Sequence, residues 1–138
     1  MDKKINVKKL LSEAKEARKN AYAPFSGFTV GAALLSSDGK IFRGCNIESS
    51  VMSPSLCAER VALAKAISEG EKEFLAIAIA GAPEKEEPKD PCYPCGVCRQ
   101  VLSEHTDLNT FQIITEENGK AVTCPLSDLL PKAFVFDK

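Results

Sequence analysis

The cysteines constrain this chain most. Of its six, three stand at a spacing of three in the stretch "DPCYPCGVCRQ": Cys92, Cys95 and Cys98. Pro94 breaks their equivalence. Proline is favoured at the first helical position and pushes the residue before it toward extended backbone. A helix is therefore expected from Pro94, with Cys95 and Cys98 on one face of its first turn. Thiolates there are stabilised by the free amides and the helix dipole, which suits metal ligation. Cys92 precedes the helix, so the helix does not fix its direction, and it is read as a bystander.

Two thiolates do not complete a metal site. A second expected helix, in "SPSLCAERVALAKAISEG", has Ser and Pro before it, Cys57 in or near its first turn, and Gly70 at its end. If two helices aim their N-termini at one point, Cys57, Cys95 and Cys98 supply three ligands. A catalytic zinc keeps three protein ligands and leaves the fourth position to water. Glu59, a carboxylate in a mostly apolar helix, is the matching proton carrier. In mid-helix, residues two apart point about 200° from each other, so Cys57 and Glu59 converge only if Cys57 sits at the very start. Three thiolates on a divalent ion leave a net negative charge, which Arg60 and Arg99 can offset by donating to the sulfurs.

The rest of the chain supplies a scaffold. Helical spacing of Val7, Leu10, Leu11, Ala14 and Ala17 predicts an amphipathic helix to about Asn20. "YAPFSG" is a turn-rich break. "FTVGAALLSSDGKIFRGCNIE" reads as a hairpin about Asp38-Gly39, and "FLAIAIAGA" as a buried strand. "PEKEEPKDP" is a charged surface loop. "TFQIIT" and "KAVTC" are strands about Asn118-Gly119, and "LSDLLPKAF" is a short helix and tail. The expected architecture is α/β: a three-layer α-β-α sandwich with a mixed sheet, helices covering both faces. At 138 residues, a single domain over 1–138 is expected. A net charge of −1 gives no broad attraction to nucleic acid or membrane. The N-terminal stretch "MDKKINVKKLLSEAKEARKN" has no apolar run of signal-peptide length, and no segment has the length of a membrane span. The expected setting is the cytoplasm, where clustered cysteines read as metal-binding or catalytic. Cys45 and Cys124 read as small buried hydrophobes, and His105, the only histidine, as structural or exposed.

"CAER" followed by "PCGVCRQ" resembles the zinc-dependent nucleoside deaminases, in which a zinc-activated water attacks C4 of cytosine and a non-ligand glutamate moves the protons. Together with "AYAPFSGFTVGAAL", "GCNIE", "PCGVCRQVLSE" and "LLPKAF", the chain is similar over nearly its whole length to the small, homotetrameric cytidine deaminases. That resemblance implies their five-stranded mixed sheet and one Zn²⁺ per subunit on Cys57, Cys95 and Cys98. It implies Glu59 as proton shuttle, and Arg60 as a donor to zinc-bound sulfur. It implies Asn46 and Glu48 on the ribose hydroxyl, Phe28 on the wall of the nucleoside pocket, and the Ala58 backbone on the pyrimidine. It also implies that Phe134 reaches a neighbouring subunit's site and packs on the base. The chain departs from the pattern in two places. Met52 stands where members often carry an aromatic residue, and the loop "PEKEEPKDPCY", which contains Cys92, is longer than usual.

The expected reaction is hydrolysis of cytidine and 2′-deoxycytidine to uridine and 2′-deoxyuridine with release of ammonia, a step of pyrimidine salvage. A close alternative is a deaminase of a modified cytosine nucleoside such as blasticidin S. An alternative from another class is a non-catalytic zinc module closed by Cys92 or His105, which has no use for Glu59. Nucleic-acid editing is disfavoured by the absence of a basic stripe.

Overall fold

The computed structural model describes residues 4–136. The chain folds as α1 (Val7–Ala17), β1 (Phe28–Ser36), β2 (Ile41–Cys45), α2 (Ala58–Ser68), β3 (Phe74–Pro83), α3 (Gly96–Ser103), β4 (Gln112–Glu117), β5 (Lys120–Pro125) and α4 (Leu126–Leu129). The five strands form one sheet in the order β2-β1-β3-β4-β5. Only β3 and β4 pair in parallel; the other three pairs are antiparallel. A parallel pair needs a crossover, and α3 lies in that crossover.

The two central strands are apolar on both faces because both faces are covered. On β3, Ile77 and Ile79 pack with Ala58, Ala62, Leu63 and Leu102 of α2 and α3. The alternate residues Ala76, Ala78 and Ala80 pack with Leu10, Leu11 and Ala14 of α1. Period-two alternation thus sorts isoleucine to one layer and alanine to the other. Each fully buried isoleucine contributes about 1.5–3 kcal/mol, and Ile77→Ala would cost about 2–5 kcal/mol.

Asn6 caps α1, its side chain accepting from the Lys9 amide at 3.1 Å. The expected helix to Asn20 is α-helical only to Ala17; a 3-10 turn over Arg18–Asn20 finishes it and Ala21 is extended. Cys45 and Cys124 are half-buried, because β2 and β5 are the sheet edges. α2 lies very close to β2: a Cβ added to Gly44 would sit 2.3 Å from the Ala58 carbonyl oxygen and 2.5 Å from the Ala62 amide nitrogen. Only glycine allows that approach, and it seats the first turn of α2 directly on the sheet.

Candidate active site

α2 and α3 both begin on a cysteine. Cys57 is the N-cap of α2 and Cys95 the N-cap of α3, each extended and neither side chain spent on a capping hydrogen bond. The helix expected from Pro94 therefore begins two residues later, at Gly96. Pro94 lies before the cap, fully buried, its carbonyl oxygen accepting from Arg99 Nε at 2.6 Å. The shift leaves the sulfurs together: Cys95 is at the cap and Cys98 in the first turn. Cys57 at the cap also meets the condition for converging with Glu59 in the first turn.

The three sulfurs lie within 4.8 Å of one another. Cys57 Sγ is 3.8 Å from Cys95 Sγ, and Cys95 Sγ is 3.6 Å from Cys98 Sγ. A tetrahedral zinc with bonds of about 2.3 Å requires sulfur–sulfur edges of about 3.8 Å, so these residues fit the ion. Cys98 is fully buried and Cys95 is exposed, so the cluster opens on one side. Cys98 hydrogen-bonds Cys57 and, with Arg60, holds the Cys57 thiol down to about 5 against its burial. The same bond pushes Cys98 up. Arg60 Nη2 lies 3.6 Å from Cys57 Sγ and donates to the Ser55 carbonyl at 3.3 Å. Contact with the Cys57 sulfur first, and with Cys98 as well, raises the Arg60 guanidinium further. Its Nε is buried with no hydrogen-bond partner. Arg99 takes a different course: it donates to the carbonyls of Pro94 and Leu129, the latter at 2.9 Å. It fastens α4 to the start of α3 and makes no bond to sulfur.

Glu59 is 4 % exposed. Burial pushes its carboxyl up to about 7, and the neighbouring Cys57 adds to the rise. It lies on the wall of a cavity of about 820 Å³, which Cys57, Ala58, Arg60, Cys95, Asn46 and Glu48 also line. That volume suits a small-molecule site.

Asn46 and Glu48 also have structural work. Asn46 Oδ1 accepts from the Val30 amide at 2.8 Å, and Nδ2 donates to the Phe28 carbonyl at 2.9 Å. Glu48 Oε1 accepts from the amides of Phe25 and Ser26 at 2.9 and 3.1 Å, and Oε2 from the Ser26 hydroxyl. These bonds hold the "YAPFSG" turn against the cavity, so that Phe25 lines it. Phe28 itself stands beside the lining, its ring over Gly81. Phe25, Val30 and Cys92 are wall residues that the sequence reading missed. Val30 had a signal, since it precedes Gly31 on a strand leading to "GCNIE"; Phe25, an apolar residue in a turn, had another. Met52 lines the cavity mouth at 87 % exposure. Phe134 lies outside this chain's cavity, 67 % exposed, its ring 6.5 Å from that of Phe136. His105 is exposed. Cys92 is absent from the three-sulfur group found among the described residues.

The family model described as the cytidine and deoxycytidylate deaminase zinc-binding region matches residues 4–114. The chain belongs to this family. The family's region is a zinc-binding one, so the cofactor is zinc, and Cys57, Cys95 and Cys98 form a cluster that could hold a metal ion. The deaminase chain is 44% identical over 130 residues to a cytidine deaminase of Sporosarcina psychrophila, covering 94% of this chain and 92% of that one. A crystal structure of cytidine deaminase from Burkholderia pseudomallei superposes with a TM-score of 0.83 at 42% identity, covering 94% of this chain and 100% of that one. A blasticidin-S deaminase of Bacillus cereus is a more distant relative, 33% identical over 105 residues and 74% of each chain. Among the described residues, no helix is long and apolar enough to cross a membrane.

Proposed function

We propose that this deaminase hydrolyses cytidine and 2′-deoxycytidine to uridine and 2′-deoxyuridine, consuming water and releasing ammonia. The observation that carries the reading is Glu59: a buried carboxyl with a raised proton affinity, on the cavity wall beside the sulfur cluster. A structural zinc module has no need of such a group. When bound, zinc polarises a water molecule and makes it a better nucleophile toward C4 of the base. Glu59 takes the proton that this water gives up and delivers it to N3 of the ring. As the C4–N bond breaks, Glu59 relays the water's second proton, from the hydroxyl now on C4, to the amino group; that hydroxyl becomes the uracil carbonyl and ammonia leaves. A carboxyl near 7 accepts and returns protons with little loss in either direction. Arg60 draws charge from the Cys57 sulfur and keeps the cluster attractive to an electron-rich ligand. Asn46 and Glu48, which line the same cavity, meet the ribose hydroxyl. Ala58 offers backbone to the pyrimidine at the first turn of α2.

In this reading the chain acts as one domain over 1–138, in the cytoplasm, within pyrimidine salvage, and as a homotetramer. The exposed run of Phe134, Val135 and Phe136 supports the assembly, with Phe134 packing in a neighbouring subunit's site. The deciding experiment is a substrate panel followed by absorbance: cytidine, deoxycytidine, cytosine, cytidine monophosphate and blasticidin S. Turnover of the first two above the rest is expected. A clear preference for blasticidin S would transfer the assignment to a modified nucleoside. Light scattering checks the tetramer, and a fully active monomer would remove Phe134 from the site.

A further inference from the structure

Cys92 is outside the three-sulfur cluster, as Cys45 and Cys124 are, yet it lines the same cavity. Its side chain packs against the core under α2 and α3. A Cβ added to Gly81 would sit 2.8 Å from Cys92 Sγ and 2.9 Å from Phe28 Cε2, so the sulfur rests on the one residue of β3 that leaves room for it. The backbone is held as well. The Cys92 amide donates to Thr115 Oγ1 at 2.7 Å, and Thr115 is 1% exposed. Two residues on, the Pro94 carbonyl is fixed by Arg99. Burial pushes the Cys92 thiol up to about 12, with the charges of Glu59 and Cys57 adding to it. It is thus a neutral, weakly polar surface near the proton carrier.

We propose that Cys92, held by Thr115 and seated on Gly81, is the wall that decides which ring-substituted pyrimidines the cavity admits. This rests on the nucleoside reading above. The end of the cavity holding Glu59 and Cys57 is where the heterocycle reacts, so a fixed side chain there meets an edge of the ring. The sulfur, the Phe28 ring and Val30 all crowd the space that a Cβ on Gly81 would take, so the sulfur is closely packed on that side. A smaller residue opens the ring edge, and a larger one projects into the cavity.

The test compares cytidine with its 5-methyl and 6-methyl derivatives. It uses kcat/KM in the otherwise native enzyme and Kd in a zinc-loaded Glu59→Gln background, where turnover does not interfere. Cys92→Ala should raise the preference for at least one methylated ring over cytidine about tenfold in both measures. Cys92→Leu should raise KM and Kd for cytidine about tenfold or more, with one zinc retained per chain. Thr115→Val should move the preference as Cys92→Ala does, and Thr115→Ser, which keeps the hydroxyl, should restore it. If both preferences stay within twofold of the native values in Cys92→Ala and Thr115→Val, the wall is refuted. Failure of the native enzyme to deaminate cytidine would refute the function instead, and the Kd ratios would still judge the wall.

Discussion

At the start of α2, Cys57 caps the helix and Ala58, Glu59 and Arg60 follow; at the start of α3, Cys95 caps it and Gly96, Val97 and Cys98 follow. Both first turns offer free amides and a positive dipole end to a sulfur at the cap. They part at the second and third helical positions. The second holds Glu59, 4 % exposed, in α2, and Val97, 59 % exposed, in α3. The third holds Arg60, which turns back onto the Cys57 sulfur, against Cys98, which is itself a sulfur of the cluster. One turn contributes a ligand with its proton carrier and its charge partner. The other contributes two ligands. A shared backbone frame places the metal, and two side-chain positions on one helix make the chemistry.

The largest effects should come from the element the two turns share. Cys57→Ser and Cys95→Ser should each lose stoichiometric zinc and all measurable turnover, by metal analysis and absorbance assay. Cys92→Ser should keep its zinc. Loss of zinc from Cys92→Ser with retention in Cys95→Ser would reverse the division of the cysteines.

Next comes the position where the turns differ most. Glu59→Gln keeps shape and removes the carboxylate. It should keep fold and zinc while kcat falls by about 10²–10⁴, the usual contribution of a positioned general acid–base. Turnover of that variant at the native rate would sink the proton relay.

The arginines that follow the two motifs give a smaller contrast. Arg60→Gln should weaken zinc binding or activity about 10–100-fold, as expected when a group bonded to a metal ligand is lost. Arg99→Gln loses two bonds to carbonyls and leaves the sulfurs untouched. Its zinc content should hold, while unfolding in urea shows a loss of about 1.5–3 kcal/mol, the range for one bond to a charged group. Equal zinc loss in both variants would erase the distinction between the two turns.

Local sequence was enough for the elements and for the three sulfurs that the fold brings together. Cysteines before two apolar helices, one preceded by proline, led to the three sulfurs because capping is a local matter. The same reasoning placed the α3 start two residues early. Proline favours the first helical position, but Pro94 is buried before the cap and its carbonyl is bound by Arg99, a contact that only the folded chain creates. Arg99, which the sequence left between a donor to sulfur and a solvated charge, is neither: adjacency to Cys98 says nothing about Leu129, thirty residues away. The cavity wall was the least legible part. Phe25, Val30 and Cys92 come from a turn, a strand and a loop, and no periodicity in the sequence links them.

The smallest expected effect lies outside both helical turns, and it separates structural from binding roles at Glu48, which lines the cavity. The Ser26 hydroxyl first, then the amides of Ser26 and Phe25, hold the Glu48 carboxyl below its ordinary value of 4.5. A depressed folded value means that ionised Glu48 stabilises the turn. The stabilisation is fully present above 4.5 and is lost as pH falls through the lower folded value. Native protein should therefore melt slightly higher than Glu48→Gln above that value, and the gap should close in more acidic buffer. Protonation of the cysteine cluster affects both proteins alike, so the difference in Tm isolates Glu48. The group is well solvated, so the gap is small and shrinks with salt. If Glu48→Gln raises KM for cytidine with no change in that gap across pH, Glu48 acts on the sugar alone. If the gap closes as expected and KM rises too, one carboxylate both folds the turn and meets the ribose.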